Sequence, residues 1–330
     1  MGRELTQREL LIELEPVAEE NVHRHLSLAK PWHPHDYVPW DEGRNFAAMG
    51  GIDWDPGQSR LSEVAKAAMI TNLLTEDNLP SYHRVIADNF SQDGAWGTWV
   101  GRWTAEENRH GIAMRDYLLV TRGVDPVELE HARMAAMTTG FDPLATIDYS
   151  TLDQSQVPEA GVLYGMAYVT FQELATRISH RNTGKVCNDP VADTMLQRIS
   201  ADENLHMIFY RNLYGAALDL APDQAMEAVS IMLMNFQMPG AGNPNFRRYG
   251  VLMAKHGIYD MRQHLDEVIM PVLRLWKVFE RNDFTARGEQ ARERLDAFLT
   301  EYQQRTLKFE ERRDRIAARD ANRRDAIVPS

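Results

Sequence analysis

Two short segments 96 residues apart nearly repeat each other: Ala105-Glu106-Glu107-Asn108-Arg109-His110 and Ala201-Asp202-Glu203-Asn204-Leu205-His206. A Glu and a His three apart on an α-helix lie about 60° from each other, so each segment can aim a carboxylate and an imidazole at one point. The bare pattern is weak evidence. With 24 Glu and 11 His in 330 residues, roughly 0.8 matches arise by chance and four occur. Context separates them: Glu107 follows Glu76 by 31 residues and Glu203 follows Glu173 by 30, a spacing that levels the middles of two hairpin-linked antiparallel helices. Glu20/His23 and Glu128/His131 have no such partner. The order Glu, Glu-x-x-His, Glu, Glu-x-x-His reads as a duplicated helical hairpin supplying four carboxylates and two imidazoles. This is the ligand set of a carboxylate-bridged two-metal site in a four-helix bundle. Oxygen-rich ligation with one imidazole per ion suits iron or manganese better than zinc or copper.

The elements that must carry these residues follow from helical periodicity, which dominates the chain; no alternating apolar run bounded by hairpin turns occurs. The expected fold is all-α: a ferritin-like four-helix di-iron bundle extended by additional helices. It forms one domain over 1–330, with the metal-binding bundle at about 60–218 and a charged C-terminal helix and tail at 285–330. Helices are expected over Glu4–Leu28, Leu61–Phe90, Ala95–Val120, Pro126–Thr139, Glu159–Asn182, Pro190–Leu218, Pro222–Phe236, Leu265–Arg281 and Glu289–Ala318. Pro80 cannot donate to the carbonyl of Glu76, which predicts a kink or break beside that residue. Gly184 is the expected C-cap of its helix, and Asn188-Asp189-Pro190 the start of the next. Gly140–Pro158 reads as a long connection. The aromatic Pro/Gly-rich stretch Pro31–Ser59 reads as a packed cover.

Composition narrows the function. A net charge of −12 argues against general nucleic-acid binding. The single cysteine, Cys187, excludes an intrachain disulfide framework and fits a reducing, cytoplasmic setting. Met1–Leu14 has dispersed acids and no apolar core, so neither a signal nor a transit peptide is expected. No uncharged apolar stretch reaches the ~18 residues that span a bilayer. Next to the proposed ligands, Asp202 is a candidate to hold a histidine N–H. Glu106 is a second candidate for that role, with exposure to solvent as the favoured alternative.

The stretches Trp103–Gly111, Phe171-Gln172-Glu173-Leu174-Ala175-Thr176 and Ala201–His206 resemble the soluble acyl-acyl-carrier-protein desaturases. So do Thr75-Glu76-Asp77-Asn78-Leu79-Pro80 and the Trp32-x-Pro-x-Asp36 loop. The likeness runs from about Leu10 to Phe279 and looks more like the actinobacterial, DesA-like branch than the plant stearoyl enzymes. The resemblance implies that Glu76, Glu107, His110, Glu173, Glu203 and His206 hold two iron ions, with Glu107 and Glu203 bridging. Thr176 would place its hydroxyl by the oxygen site. Trp32 and Asp202, with His110, would line an electron route. Members are homodimers that take electrons from ferredoxin, use O2 and insert a cis double bond into an acyl chain on acyl carrier protein. Two departures stand out: Asp77 replaces a plant Glu, and the segment between Glu76 and Glu107 is shorter. A positive patch for acidic partners is expected at Arg177, Arg181 and Lys185, with Lys30 nearby. Other two-metal proteins share the scaffold: an oxygenase, a ribonucleotide reductase small subunit with Tyr168 or Tyr210 as radical site, or a ferritin-like iron store.

Overall fold

The computed structural model describes residues 4–148, 150, 161–239 and 245–325, and every regular element among them is helical. The order is α1 (Gln7–Leu28), α2 (Glu63–Asp77), α3 (Leu79–Asn89), α4 (Gly94–Val120), α5 (Pro126–Thr139), α6 (Gly161–Cys187), α7 (Pro190–Leu220), α8 (Pro222–Met234), α9 (Phe246–Lys255), α10 (Met261–Gln263), α11 (Met270–Leu275) and α12 (Ala286–Asp325). A π-helical turn, His264–Ile269, joins α10 to α11. The expected Gly140–Pro158 connection is described over 140–148 and at 150, and its remainder lies outside the described residues. Among those described, no helix is long and apolar enough to cross a membrane.

Local chemistry sets the helix ends. Thr6 and Glu9 form a reciprocal capping box on α1. Asp189 receives the Val191 and Ala192 amides at 2.8 and 3.2 Å while Pro190 fills the first turn of α7. Between α2 and α3 the helix breaks at Asn78, as the missing amide of Pro80 requires. Arg133 of α5 grips Asp77 beside that break.

The α2/α3 pair, α4, α6 and α7 form the bundle, with α6 and α7 making its most extensive contact; α1 lies across α4 and α7, and α8 and α12 extend the core beyond the α6 end. A continuous interior includes Trp96, Trp99, Trp103, Phe171, Phe209 and Tyr210. Two expectations need correction. Gly184 does not end its helix: α6 runs on to Cys187, and a Cβ at Gly184 would sit 2.8 Å from Asp193 Oδ1 and 3.2 Å from its Cα, so this glycine permits close approach of α7. The C-terminal turn falls to Asn188, at φ +50°. The ten-residue α9 was not anticipated either, because Gly250 and two adjacent arginines obscure its apolar face.

His264 is buried in the π-helical turn between Phe236 and Tyr302, with Nδ1 2.7 Å from Tyr259 Oη. Among the described residues no carboxylate offsets its desolvation, so burial holds its pKa down to about 4. The unfolded chain then binds a proton that the folded state refuses. Stability is full above the ordinary histidine range and falls as the pH drops from 6.5 toward 4. Replacing His264→Gln should remove about 2 kcal/mol of this pH dependence between pH 6.5 and 4.5, read from urea unfolding of variant and parent at the two pH values.

Candidate metal centre

The six residues singled out by spacing meet inside the bundle. Glu76 comes from α2, Glu107 and His110 from α4, Glu173 from α6, and Glu203 and His206 from α7; none is more than 3 % exposed. Their ligand atoms fall into two overlapping groups, Glu76/Glu107/His110/Glu203 and Glu107/Glu173/Glu203/His206, each with all atoms within 4.8 Å of one another. Glu107 and Glu203 belong to both. Two ions held by these groups would share both residues.

Each residue also turns one atom toward the others with no hydrogen bond from outside the group: Glu76 Oε2, Glu107 Oε1, His110 Nδ1, Glu173 Oε2, Glu203 Oε1 and His206 Nδ1, with His206 Nδ1 and Glu107 Oε1 2.7 Å apart and His110 Nδ1 and Glu203 Oε1 3.4 Å. Buried polar atoms are rarely left so, and six convergent ones fit a bound cation pair. The opposite atoms are held. His180 Nε2 meets Glu76 Oε1 at 2.8 Å, Trp103 Nε1 donates to Glu173 Oε1 at 2.9 Å, and Thr176 Oγ1 lies 3.1 Å from Glu203 Oε2.

The histidines are held in a matching way. Asp202 Oδ2 lies 3.4 Å from His110 Nε2 and accepts from Trp32 Nε1 at 2.7 Å and Arg109 Nη2 at 2.8 Å. Glu106 is not exposed, contrary to expectation: it is 3 % exposed, and its Oε2 lies 2.9 Å from His206 Nε2 and 3.0 Å from His25 Nε2. An exposed acid would have faced water; here, two buried imidazoles draw it inward. Burial pushes the Glu106 carboxyl upward, but hydrogen bonds from His206 and His25 outweigh this and hold it well below the usual carboxylate range. Asp202 is likewise depressed, with bonds from His110 and Trp32 overcoming burial. An ionised carboxylate only accepts, so His206 and His110 carry a proton on Nε2, and their Nδ1 atoms are the ones that would bind the ions once deprotonated.

The charge balance asks for cations. Burial, with repulsion from Glu203 and Glu76, pushes Glu107 up to about 8. Burial and the charges of Glu107 and Glu203 push Glu173 well above its ordinary value. The chemistry of the donor set therefore fits two divalent ions, which four carboxylates neutralise.

Sequence reasoning passed over His180, Trp103 and His25. His180 sits seven residues after Glu173 and Trp103 four before Glu107, spacings that share a helix face and carried a signal. His25 carried none, because it approaches from a separate helix.

An apolar slot of about 80 Å³ is lined by Thr75, Ala175, Thr176, Phe246, Met253 and Tyr259 among others, Thr75 being the neighbour of Glu76 in sequence. Larger open clefts of about 530 and 650 Å³ lie between α5 and α9; none of the six residues lines these clefts or the slot, but the slot alone is lined by Thr176, which bonds Glu203.

A family model for fatty acid desaturases matches residues 6–328. The chain belongs to the type 2 fatty acid desaturase family. A Mycobacterium tuberculosis protein named as an acyl-[acyl-carrier-protein] desaturase, DesA1, is 56% identical over 321 residues, covering 97% of this chain and 93% of that one. The chloroplastic stearoyl-[acyl-carrier-protein] 9-desaturase of Simmondsia chinensis is 29% identical over 308 residues, 86% of this chain and 72% of that one. The crystal structure of DesA2 from M. tuberculosis H37Rv superposes with a TM-score of 0.65 at 32% identity, covering 81% of this chain and 94% of that chain. This desaturase thus has the ferritin-like helical fold of an oxidoreductase family.

If the six convergent atoms of the desaturase receive metal, Mn(II) added to chelator-treated protein should raise its melting temperature. At one hundred times the dissociation constant the gain is about 2.7 kcal/mol per site. Glu203→Ala, which removes a shared ligand, should show no comparable gain by calorimetry.

Proposed function

We propose that this chain is an O2-dependent acyl-[acyl-carrier-protein] desaturase. It holds two iron ions, with manganese as a possible substitute, through Glu76, Glu107, His110, Glu173, Glu203 and His206, and inserts a cis double bond into a carrier-bound acyl chain. The overlap of two buried ligand groups at Glu107 and Glu203 carries this reading, and the names of its relatives support the substrate. When bound, the metal pair supplies reduction of O2 and an oxidant strong enough for an unactivated C–H bond. The balance is –CH2–CH2– plus O2, two electrons and two protons giving –CH=CH– and two waters.

The chain's own residues do the rest. Trp103 and His180 restrain the outer carboxylates, so that Glu173 and Glu76 turn one oxygen each to the ions. Thr176 lines the apolar slot and bonds Glu203, placing its hydroxyl between slot and centre, and the carbon-rich slot keeps water from the reacting methylenes. Every methylene is chemically alike, so the depth of the slot selects the bond. Electrons from a small acidic donor of the ferredoxin kind enter through Trp32, Asp202 and His110. Trp32 stacks on the His110 ring at 6.1 Å and 12°, under the Arg109 guanidinium.

The carrier docks on α9. Its Phe246, Gly250 and Met253 close the slot, while Arg247, Arg248 and Lys255 are exposed on a helix without an acidic residue. Among the described residues none of these three cations is in an ion pair, whereas Arg181 is paired with Asp193 and Lys185 bonds Asn182. An acidic carrier would find its counter-charge at the mouth of the slot.

Two experiments test this reading. Iron-loaded protein given acyl carrier substrate, reduced ferredoxin and O2 should yield a product lighter by two hydrogens in intact-mass analysis. Glu107→Ala and Glu203→Ala should give neither product nor bound iron while remaining helical, and full turnover in either would contradict the assignment. Combined Arg247→Glu and Arg248→Glu should raise KM for the carrier substrate about tenfold at low salt, with the difference shrinking at high salt and kcat little changed. An unchanged, salt-independent KM would remove α9 from the docking surface.

A further inference from the structure

Each shared carboxylate is preceded by a second acid: Glu106 before Glu107, and Asp202 before Glu203. These acids cross between the halves of the duplication. Glu106 of α4 holds His206 of α7, and Asp202 of α7 holds His110 of α4. Each is then met by one more ring from the N-terminal part of the chain, His25 near the end of α1 for Glu106 and Trp32 in the following loop for Asp202. The two arms are alike in plan and different at their ends. Trp32 belongs to the electron route; His25 has no part in the reaction described above.

His25 is 1 % exposed, lies edge-on to Trp99 at 5.0 Å and stacks on His206 at 5.7 Å. Its Nε2 contacts Glu106, and its Nδ1 has no hydrogen-bond partner. A buried imidazole is costly unless its one polar contact serves a purpose. Glu106 is also pulled the other way, because Oε1 lies 2.5 Å from Nη2 of the half-exposed Arg102. Two N–H groups converging on Oε2 counter that pull. With one removed, the carboxylate is free to turn toward Arg102 and away from His206.

Building on the proposed metal centre, we infer that His25 is a positioning residue: it anchors Glu106, which in turn keeps the His206 Nδ1 lone pair aimed at the ion position formed with Glu107, Glu173 and Glu203. The other ion position, at His110, is served by the Asp202 arm and does not depend on His25. The two positions are therefore supported independently, and losing one anchor weakens one of them.

Anaerobic titration of metal-free protein with Co(II), followed by its visible absorption, separates two binding events. His25→Phe keeps the packing against Trp99 and removes the donor; it should weaken one event about 10- to 100-fold and leave the other as in the parent. His25→Gln can donate its amide to Glu106 and should restore most of the loss. Trp32→Phe should spare the event that His25→Phe weakens. If His25→Phe does not fold, His25→Ala takes its place in the same comparison. Two unchanged events in the donor-less variant would overturn the inference, as would equal weakening of both with no rescue by Gln. A parent that binds no metal would overturn the metal-centre reading itself, and this inference with it.

Discussion

Four carboxylates enclosed in the middle of a helical bundle are the constraint on which the rest of this molecule depends. Such a cluster is strongly unfavourable in a low-dielectric interior unless positive charge joins it. The upward displacement of Glu107 and Glu173 expresses that conflict within the protein alone. Two divalent ions would resolve it, and the six atoms turned toward one another are the ones that would bind them. The helices serve this arrangement: Glu and His three apart on α4 and α7 reach inward together, and the single Glu on each of α2 and α6 completes the two groups.

Around that core lies a layer of donors whose job is orientation. His180, Trp103 and Thr176 each occupy one oxygen of a ligand carboxylate, and Asp202 and Glu106 each fix the proton of a ligand imidazole. This layer makes the site a precise cage rather than a loose acidic cluster, which could take up ions but not direct them. It also ties the site to the surface. Asp202 connects the interior to Trp32 and Arg109, while Ala175 and Thr176 connect it to the slot beneath α9.

Much of this was legible in the sequence because helical geometry is regular. The spacing of Glu76 from Glu107 and Glu173 from Glu203 anticipated which side chains converge, and Pro80 anticipated the break after α2. The errors came where tertiary contact overrides local pattern. Gly184 looks like a terminator but serves close packing against Asp193. Glu106 looks like a solvent-facing neighbour of Glu107, yet α1 brings His25 to it from 81 residues away in sequence. No periodicity within α4 could reveal a partner on another helix. α9 was missed for a related reason: ten residues with a central glycine and three cations lack the long apolar stripe by which helices announce themselves.

The most direct test of the central claim is to crystallise the iron-loaded protein and collect anomalous diffraction at the iron edge. The account predicts two peaks per chain, both flanked by Glu107 and Glu203, with His110 Nδ1 on one and His206 Nδ1 on the other. A single peak, none, or carboxylates turned away from the bundle centre would contradict it.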